Sequence, residues 1–203
     1  MTQQAEALLD ELDHTLTRVT GPRRLTMLRQ MTDLFLAGAP TYSEELANLF
    51  DAIIKRLSEG VESKALVELS NRLAETSNAA ADTVARLSSS DDIAVAGPVL
   101  EKSPALTDNQ LVSIAKTKGQ GHLMAIAARQ RINDVVSDVL VERGNKTVLR
   151  KVTGNNGAKI SEDGFARLIT EAKGDKTLAE LVKTRPDIPE ELKPFVSVML
   201  PGK

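Results

Sequence analysis

The feature that most constrains this chain is a three-residue pattern that returns four times between residues 106 and 190. Leu106-Thr107-Asp108, Ile132-Asn133-Asp134, Ile160-Ser161-Glu162 and Ile188-Pro189-Glu190 each join a branched aliphatic residue, a helix starter and an acid. The aliphatic leads lie 26, 28 and 28 residues apart. Thr, Asn and Ser accept hydrogen bonds from the free N–H groups at a helix start, and Pro is tolerated in the first turn. The acid that follows suits the positive end of the helix dipole. A fixed period of this length marks a helical repeat array, in which one helix pair cannot bury its apolar face and stacked pairs share a core. Gly119, Gly144 and Gly174 fall 13, 12 and 14 residues after their leads, as turns that reset the pattern inside each repeat. The four leads are therefore expected to be buried in one ladder, each opening a helix.

Upstream, the periodicity predicts four longer amphipathic helices. Residues 4–19 carry a stripe of Leu8, Leu9, Leu12, Leu16 and Val19, stopped by Gly21-Pro22. Arg23 to Ala37 forms the second helix. Ser43 starts a third with Leu46, Leu49, Phe50, Ile53, Ile54 and Leu57 on one face, and a fourth begins near Glu62. After Glu75 the helices shorten. Ser77-Asn78 reads as the cap of a helix from Ala79 to Leu87, and Pro98 is expected to bend or shorten the helix that starts at Ile93. The fold expectation is all-α, with an N-terminal bundle or cap over residues 1–75 and a solenoid over residues 76–203.

Composition narrows the chemistry. Aromatic residues make up only 2% of the chain and Trp is absent, so the core must be built from Leu, Ile, Val and Ala, which suits closely packed helices. There is no Cys, which excludes disulfides, thiolate catalysis and His/Cys zinc sites. No HExxH or EF-hand pattern occurs, so no metal, cofactor or catalytic residue is assigned. No apolar run approaches the ~20 residues of a membrane span. The N-terminus carries Glu6, Asp10 and Glu11 and no basic residue before Arg18, unlike a secretory signal or transit peptide. A cytoplasmic protein is expected.

The net charge of −2 is unevenly spread: residues 1–115 carry −7, residues 116–159 carry +6 and residues 160–203 carry −1. In the 28-residue register Lys118 stacks with Lys146 and Arg131 with Lys159, while Arg143, Arg150 and Lys151 lie between. These seven residues are the candidate surface for a protein partner, an acidic one by complementarity. The alternative is local neutralisation by Asp134, Asp138 and Glu142. The apolar end from Phe195 to Leu200 suggests either a continuing chain or self-association.

Several runs carry a resemblance. Asp92-Ile93-Ala94-Val95-Ala96-Gly97-Pro98-Val99-Leu100, Leu106-Thr107, Ala127-Ala128-Arg129-Gln130-Arg131-Ile132, Asn155 to Ser161 and Arg185-Pro186-Asp187-Ile188-Pro189 together resemble a bacterial family of HEAT-like helical-repeat proteins of unknown function. The resemblance implies a right-handed α-solenoid and no enzymatic activity. Gly157 departs from the repeat, standing where Arg129 and Arg185 stand in other rungs. Those arginines read as neutralising the carbonyl end of their own short helix, and Asn155 as a brace between stacked repeats.

The functional expectation is a non-enzymatic protein-interaction scaffold or regulatory adaptor. Two alternatives belong to other classes. His14, beside Asp13 on an amphipathic helix, is the one candidate for histidine phosphotransfer, but the flanking pattern of such proteins is absent. Nucleic-acid binding would draw on the basic block 116–159. It is disfavoured by a pI near 5.8 and by having only Tyr42 and four Phe to stack on bases. Gly119-Gln120-Gly121 ahead of a helix is a weak echo of an anion site, with no preceding strand.

Overall fold

The computed structural model describes residues 3–76 and 80–197, and every regular element among them is helical. Two compact units emerge, Met1–Thr107 and Asp108–Lys203. No helix among the described residues is long and apolar enough to cross a membrane.

The first unit contains α1 (Gln3–Leu16), α2 (Gly21–Gly38), α3 (Glu44–Leu57), α4 (Ser63–Leu73), α5 (Ala81–Ser88) and α6 (Ile93–Lys102). Helices two apart in sequence pack together: α1 on α3, α2 on α4, α3 on α5 and α4 on α6. The change from long to short helices after residue 75 thus falls inside this unit. Phe35, Ile54, Leu57, Leu73, Leu87 and Leu100 fill its core. Ser43 caps α3 by accepting from the Leu46 N–H, as its position predicts.

Two expectations in this unit are corrected, the role of Gly21-Pro22 and the early helix end at Pro98. Gly21-Pro22 opens α2 instead of only closing α1, because proline's fixed φ and missing N–H cost nothing in a first turn. Helix α6 runs through Pro98 to Lys102. The residue before the proline is Gly97, which has no Cβ to crowd the ring, and Val95, Ala96, Val99 and Leu100 anchor both sides in the core. The Ser77-Asn78 cap and Ala79 lie outside the described residues. Among the described residues α5 is capped by Asp51, a buried acid within the apolar stripe of α3. Its carboxylate accepts from the backbone N–H groups of Asp82 (2.7 Å) and Thr83 (2.9 Å) and from the Thr83 hydroxyl (2.6 Å). Asp51→Ala strands these donors. It is expected to destabilise the chain by about 2–3 kcal/mol, read as a lower urea midpoint.

The second unit contains α7 (Asp108–Thr117), α8 (Gln120–Ala127), α9 (Asp134–Arg143), α10 (Lys146–Thr153), α11 (Glu162–Glu171), α12 (Lys176–Thr184) and α13 (Lys193–Ser197). Helices α7, α9 and α11 stack as one layer and α8, α10 and α12 as another, with each pair joined across the layers. This is the two-layer order of a helical solenoid. Leu123, Ile126, Leu140, Phe165, Leu168 and Leu178 form its core.

Three of the four repeated signs open α7, α9 and α11, with Asn133 accepting from the Val136 N–H and Ser161 from the Gly164 N–H, both at 2.9 Å. The fourth opens a 3-10 turn, Glu190–Leu192, ahead of α13. The ladder of leads is only half right: Leu106 and Ile132 are buried, whereas Ile160 and Ile188 are partly exposed. Ile132 is drawn in by a short parallel bridge. Its N–H donates to the Gly157 carbonyl (3.1 Å), and its carbonyl accepts from the Lys159 N–H (2.9 Å). That approach depends on Gly157, where an added Cβ would sit 1.9 Å from the Gln130 carbonyl oxygen. One rung on, Arg185 occupies the glycine's place and carries a Cβ, so the approach is not repeated around Ile160. An acid at position 160 is accordingly expected to cost less than one at position 132. Of the apolar C-terminus, Phe195 is exposed and Val196 buried, while residues 198–203 lie outside the described residues.

Candidate protein-binding edge

In each rung of the second unit an odd-numbered helix ends in a glycine turn and an even-numbered helix departs antiparallel to it. The turns at residues 117–120, 143–146 and 172–176 therefore lie along one edge. The loops that lead into α9 and α11 lie along the other, about 12 Å away for helices of eight residues. Hydrogen bonds stitch the first edge together. Gln120 Nε2 donates to the Arg143 carbonyl (2.9 Å) and Gln120 Oε1 accepts from the Asn145 N–H (2.8 Å). Asn145 caps α10 through the N–H groups of Thr147 and Val148, and Asp175 caps α12 through that of Leu178. Gly144 is required at its turn, since a Cβ there would meet the Leu140 carbonyl oxygen at 2.4 Å.

The charge on this edge is mixed, with an excess of cations; exposed Glu142 and Glu171 lie in the last turns of α9 and α11. Lys116, Arg143, Lys146, Lys173 and Lys176 are exposed and Lys118 is half-buried. The first turns of α8, α10 and α12 hold no acid, whereas those of α7, α9 and α11, at the opposite edge, hold Asp108, Asp134, Glu162 and Asp163. Asp175 is committed inward: its side chain is buried, and it pairs with Arg150 through Nη2 (2.9 Å) and Nε (3.0 Å). The Leu178 N–H above all, with help from Arg150 and Lys146, holds the Asp175 carboxyl below its ordinary value. Because the folded value is the lower one, this tie is complete above the ordinary aspartate range and is lost as pH falls through the folded value. Wild-type stability should therefore fall more steeply below pH ~4 than that of Asp175→Asn, compared by urea midpoints.

The seven cations singled out by the sequence are thus divided. Lys118, Arg143 and Lys146 share the basic edge. Arg143 also caps the carboxyl end of α7, donating to the Ala115 and Lys118 carbonyls. Arg131 and Lys159 are exposed at the opposite edge, among the first-turn acids of α9 and α11. Arg150 is tied to Asp175, and Lys151 is exposed along α10. Sequence reasoning missed Lys116, Lys173 and Lys176. A signal for two of them was present: each reset glycine follows a cation (Lys118-Gly119, Arg143-Gly144, Lys173-Gly174), and in two rungs a capping residue and a lysine come next (Asn145-Lys146, Asp175-Lys176).

Arg185, three residues before its lead, does more than neutralise its own helix. Buried Arg185 reaches back one rung, donating to the carbonyls of Asn155 and Ala158 at 2.7 Å each, and it forks onto Asp187 at 2.8 and 2.6 Å. Asn155 braces the next rung back, donating to the Ala127 (3.0 Å) and Arg129 (2.7 Å) carbonyls. Gln120 of the Gly119-Gln120-Gly121 turn is taken up by its inter-rung bonds. In the first unit, His14 is exposed on α1 in an open groove with Glu11, Thr15, Arg18 and Arg23, and Asp13 pairs with Arg56 at 2.9 Å.

A bacterial protein family, described as an uncharacterised protein conserved in bacteria (DUF2336), matches residues 95–193, from within α6 to the start of α13. No curated protein and no solved structure matches the chain.

Proposed function

We propose that this protein is a non-enzymatic, HEAT-like repeat scaffold of the bacterial cytoplasm that holds an acidic protein partner on the basic edge of its second unit. The observation that carries this reading is the placement of Lys146 and Lys176 as the first residues of α10 and α12. A helix N-terminus is the positive end of the dipole and disfavours a cation by about 0.3–1 kcal/mol. Lys146 has a neighbour within the chain, the Asp175 carboxylate, so Lys176 is the lysine that helix stability leaves unaccounted for, and attraction of acidic groups supports its placement. The seam arginines and asparagine, by contrast, are explained by the rung-to-rung bonds they make.

The test compares two charge reversals. Lys146→Glu with Lys176→Glu alters the basic edge, and Arg131→Glu with Lys159→Glu alters the opposite one. In pull-downs from native lysate, the first pair is expected to lose the partner that wild type retains and the second to keep it. Wild-type capture is expected to weaken between about 50 and 200 mM salt, as screening shortens from about 14 to 7 Å. Equal retention by wild type and the first pair at all salt concentrations would leave the basic edge as a solvated surface.

A further inference from the structure

Asn156 is the only asparagine of the chain that a glycine follows. A side-chain amide in that position is open to attack by its own backbone, because no Cβ shields the next nitrogen and the backbone there turns freely. The Asn156 residue is exposed and its amide makes no hydrogen bond among the described residues. The nucleophile, by contrast, is held. The Gly157 N–H donates to Asn155 Oδ1 (2.9 Å), and Asn155 Nδ2 is itself fastened to the Ala127 (3.0 Å) and Arg129 (2.7 Å) carbonyls of the preceding rung. The Gly157 carbonyl is fixed as well, accepting from the Ile132 N–H (3.1 Å). From this arrangement we infer that Asn156 is a site of spontaneous deamidation that the seam between the rungs keeps closed.

The reaction needs only the chain and water. Hydroxide takes the Gly157 amide proton, and the nitrogen bonds to Asn156 Cγ. The Cγ–Nδ2 bond breaks, and the nitrogen leaves as ammonia with a proton from water. Water then opens the cyclic imide at either of its carbonyls. One product is aspartate at 156, and the other is its isomer with the backbone routed through Cβ and Cγ. The first step is the proton removal that amide exchange also reports, and a bonded N–H loses its proton only after local opening. The rate at Asn156 therefore follows the opening of the seam. The isomer lengthens the backbone between 156 and 157, where the chain already passes close to the Gln130 carbonyl. That product cannot restore the bridge to Ile132, so each conversion by this route leaves the seam open.

The test follows the conversion of amide to acid by mass spectrometry. The full chain is held in mildly alkaline buffer, sampled over time and cut with trypsin, which releases residues 152–159 as one peptide. Fragmentation separates Asn155 from Asn156. A synthetic peptide of residues 152–159, which has no seam, is the open reference. The folded chain is expected to convert Asn156 about a hundredfold more slowly than the peptide. Asn155→Ala in the full chain should convert about tenfold faster than wild type, as the Gly157 N–H loses its acceptor. Asp51→Ala, which weakens the first unit, should convert at the wild-type rate. Equal rates for the folded chain and the peptide would overturn the closed seam, a comparison that needs no variant to fold. A peptide that keeps its amide at Asn156 would overturn the site itself. Equal acceleration by Asp51→Ala and Asn155→Ala would assign the rate to unfolding of the whole chain and overturn control by the seam.

Discussion

Arg185→Ala is expected to lower the stability of the second unit by about 3–5 kcal/mol. The guanidinium is almost wholly buried, lies 5.8 Å from the centre of the Phe165 ring, and serves two carbonyls of the preceding rung together with Asp187. Its removal leaves the Asn155 and Ala158 carbonyls without this donor and Asp187 without its fork. Arg185→Lys is expected to recover little, because a single ammonium cannot span two carbonyls and a carboxylate in the plane that the guanidinium does. Urea denaturation followed by circular dichroism checks the total. Amide exchange at Ala158 and Lys159 checks its location, which should be the seam between the α9–α10 and α11–α12 rungs. Loss confined to α12 would mean that Arg185 serves only its own helix.

Gly157→Ala should cost about 3 kcal/mol despite adding one methyl group to a turn. The Cβ would lie 1.9 Å from the Gln130 oxygen and 3.0 Å from its carbonyl carbon, and both atoms are backbone. Relief requires the 155–159 loop to withdraw, which breaks the bridge between Ile132 and residues 157 and 159 and strains the Asn155 brace. Repeat logic points the other way: with arginine at 129 and 185, Gly157→Arg looks like a return to the pattern. It is expected to be worse than alanine. Faster amide exchange at Ile132 and Lys159, with the helix centres still protected, is the signature to look for. An unchanged exchange rate at both would mean that the close approach contributes nothing.

The helical architecture was largely legible in the sequence. Capping residues, reset glycines and apolar spacing act over three to fifteen residues, the range over which the backbone satisfies its own N–H and C=O groups, so α7, α9 and α11 could be placed from Thr107, Asn133 and Ser161 alone. The errors at the helix boundaries were also local in kind. Pro22 and Pro98 were read by their usual effect, and their neighbours in the first turn and at Gly97 changed it.

The edge was only half legible. The charge excess over residues 116–159 is a sum along the chain, and a sum does not know which way each helix runs. Folding the chain back at every glycine sent Lys118, Arg143 and Lys146 to one end of the helices and Arg131 and Lys159 to the other, and it brought in Lys173 and Lys176 from a segment with almost no net charge. The period, the helix starts and the turns were thus determined by sequence, because capping, turn geometry and amphipathic spacing are decided among near neighbours. The seam bonds of Asn155 and Arg185, the demand for glycine at 157 and the gathering of cations on one edge were decided only by tertiary structure, because each joins atoms 23 to 32 residues apart whose meeting depends on how the rungs stack.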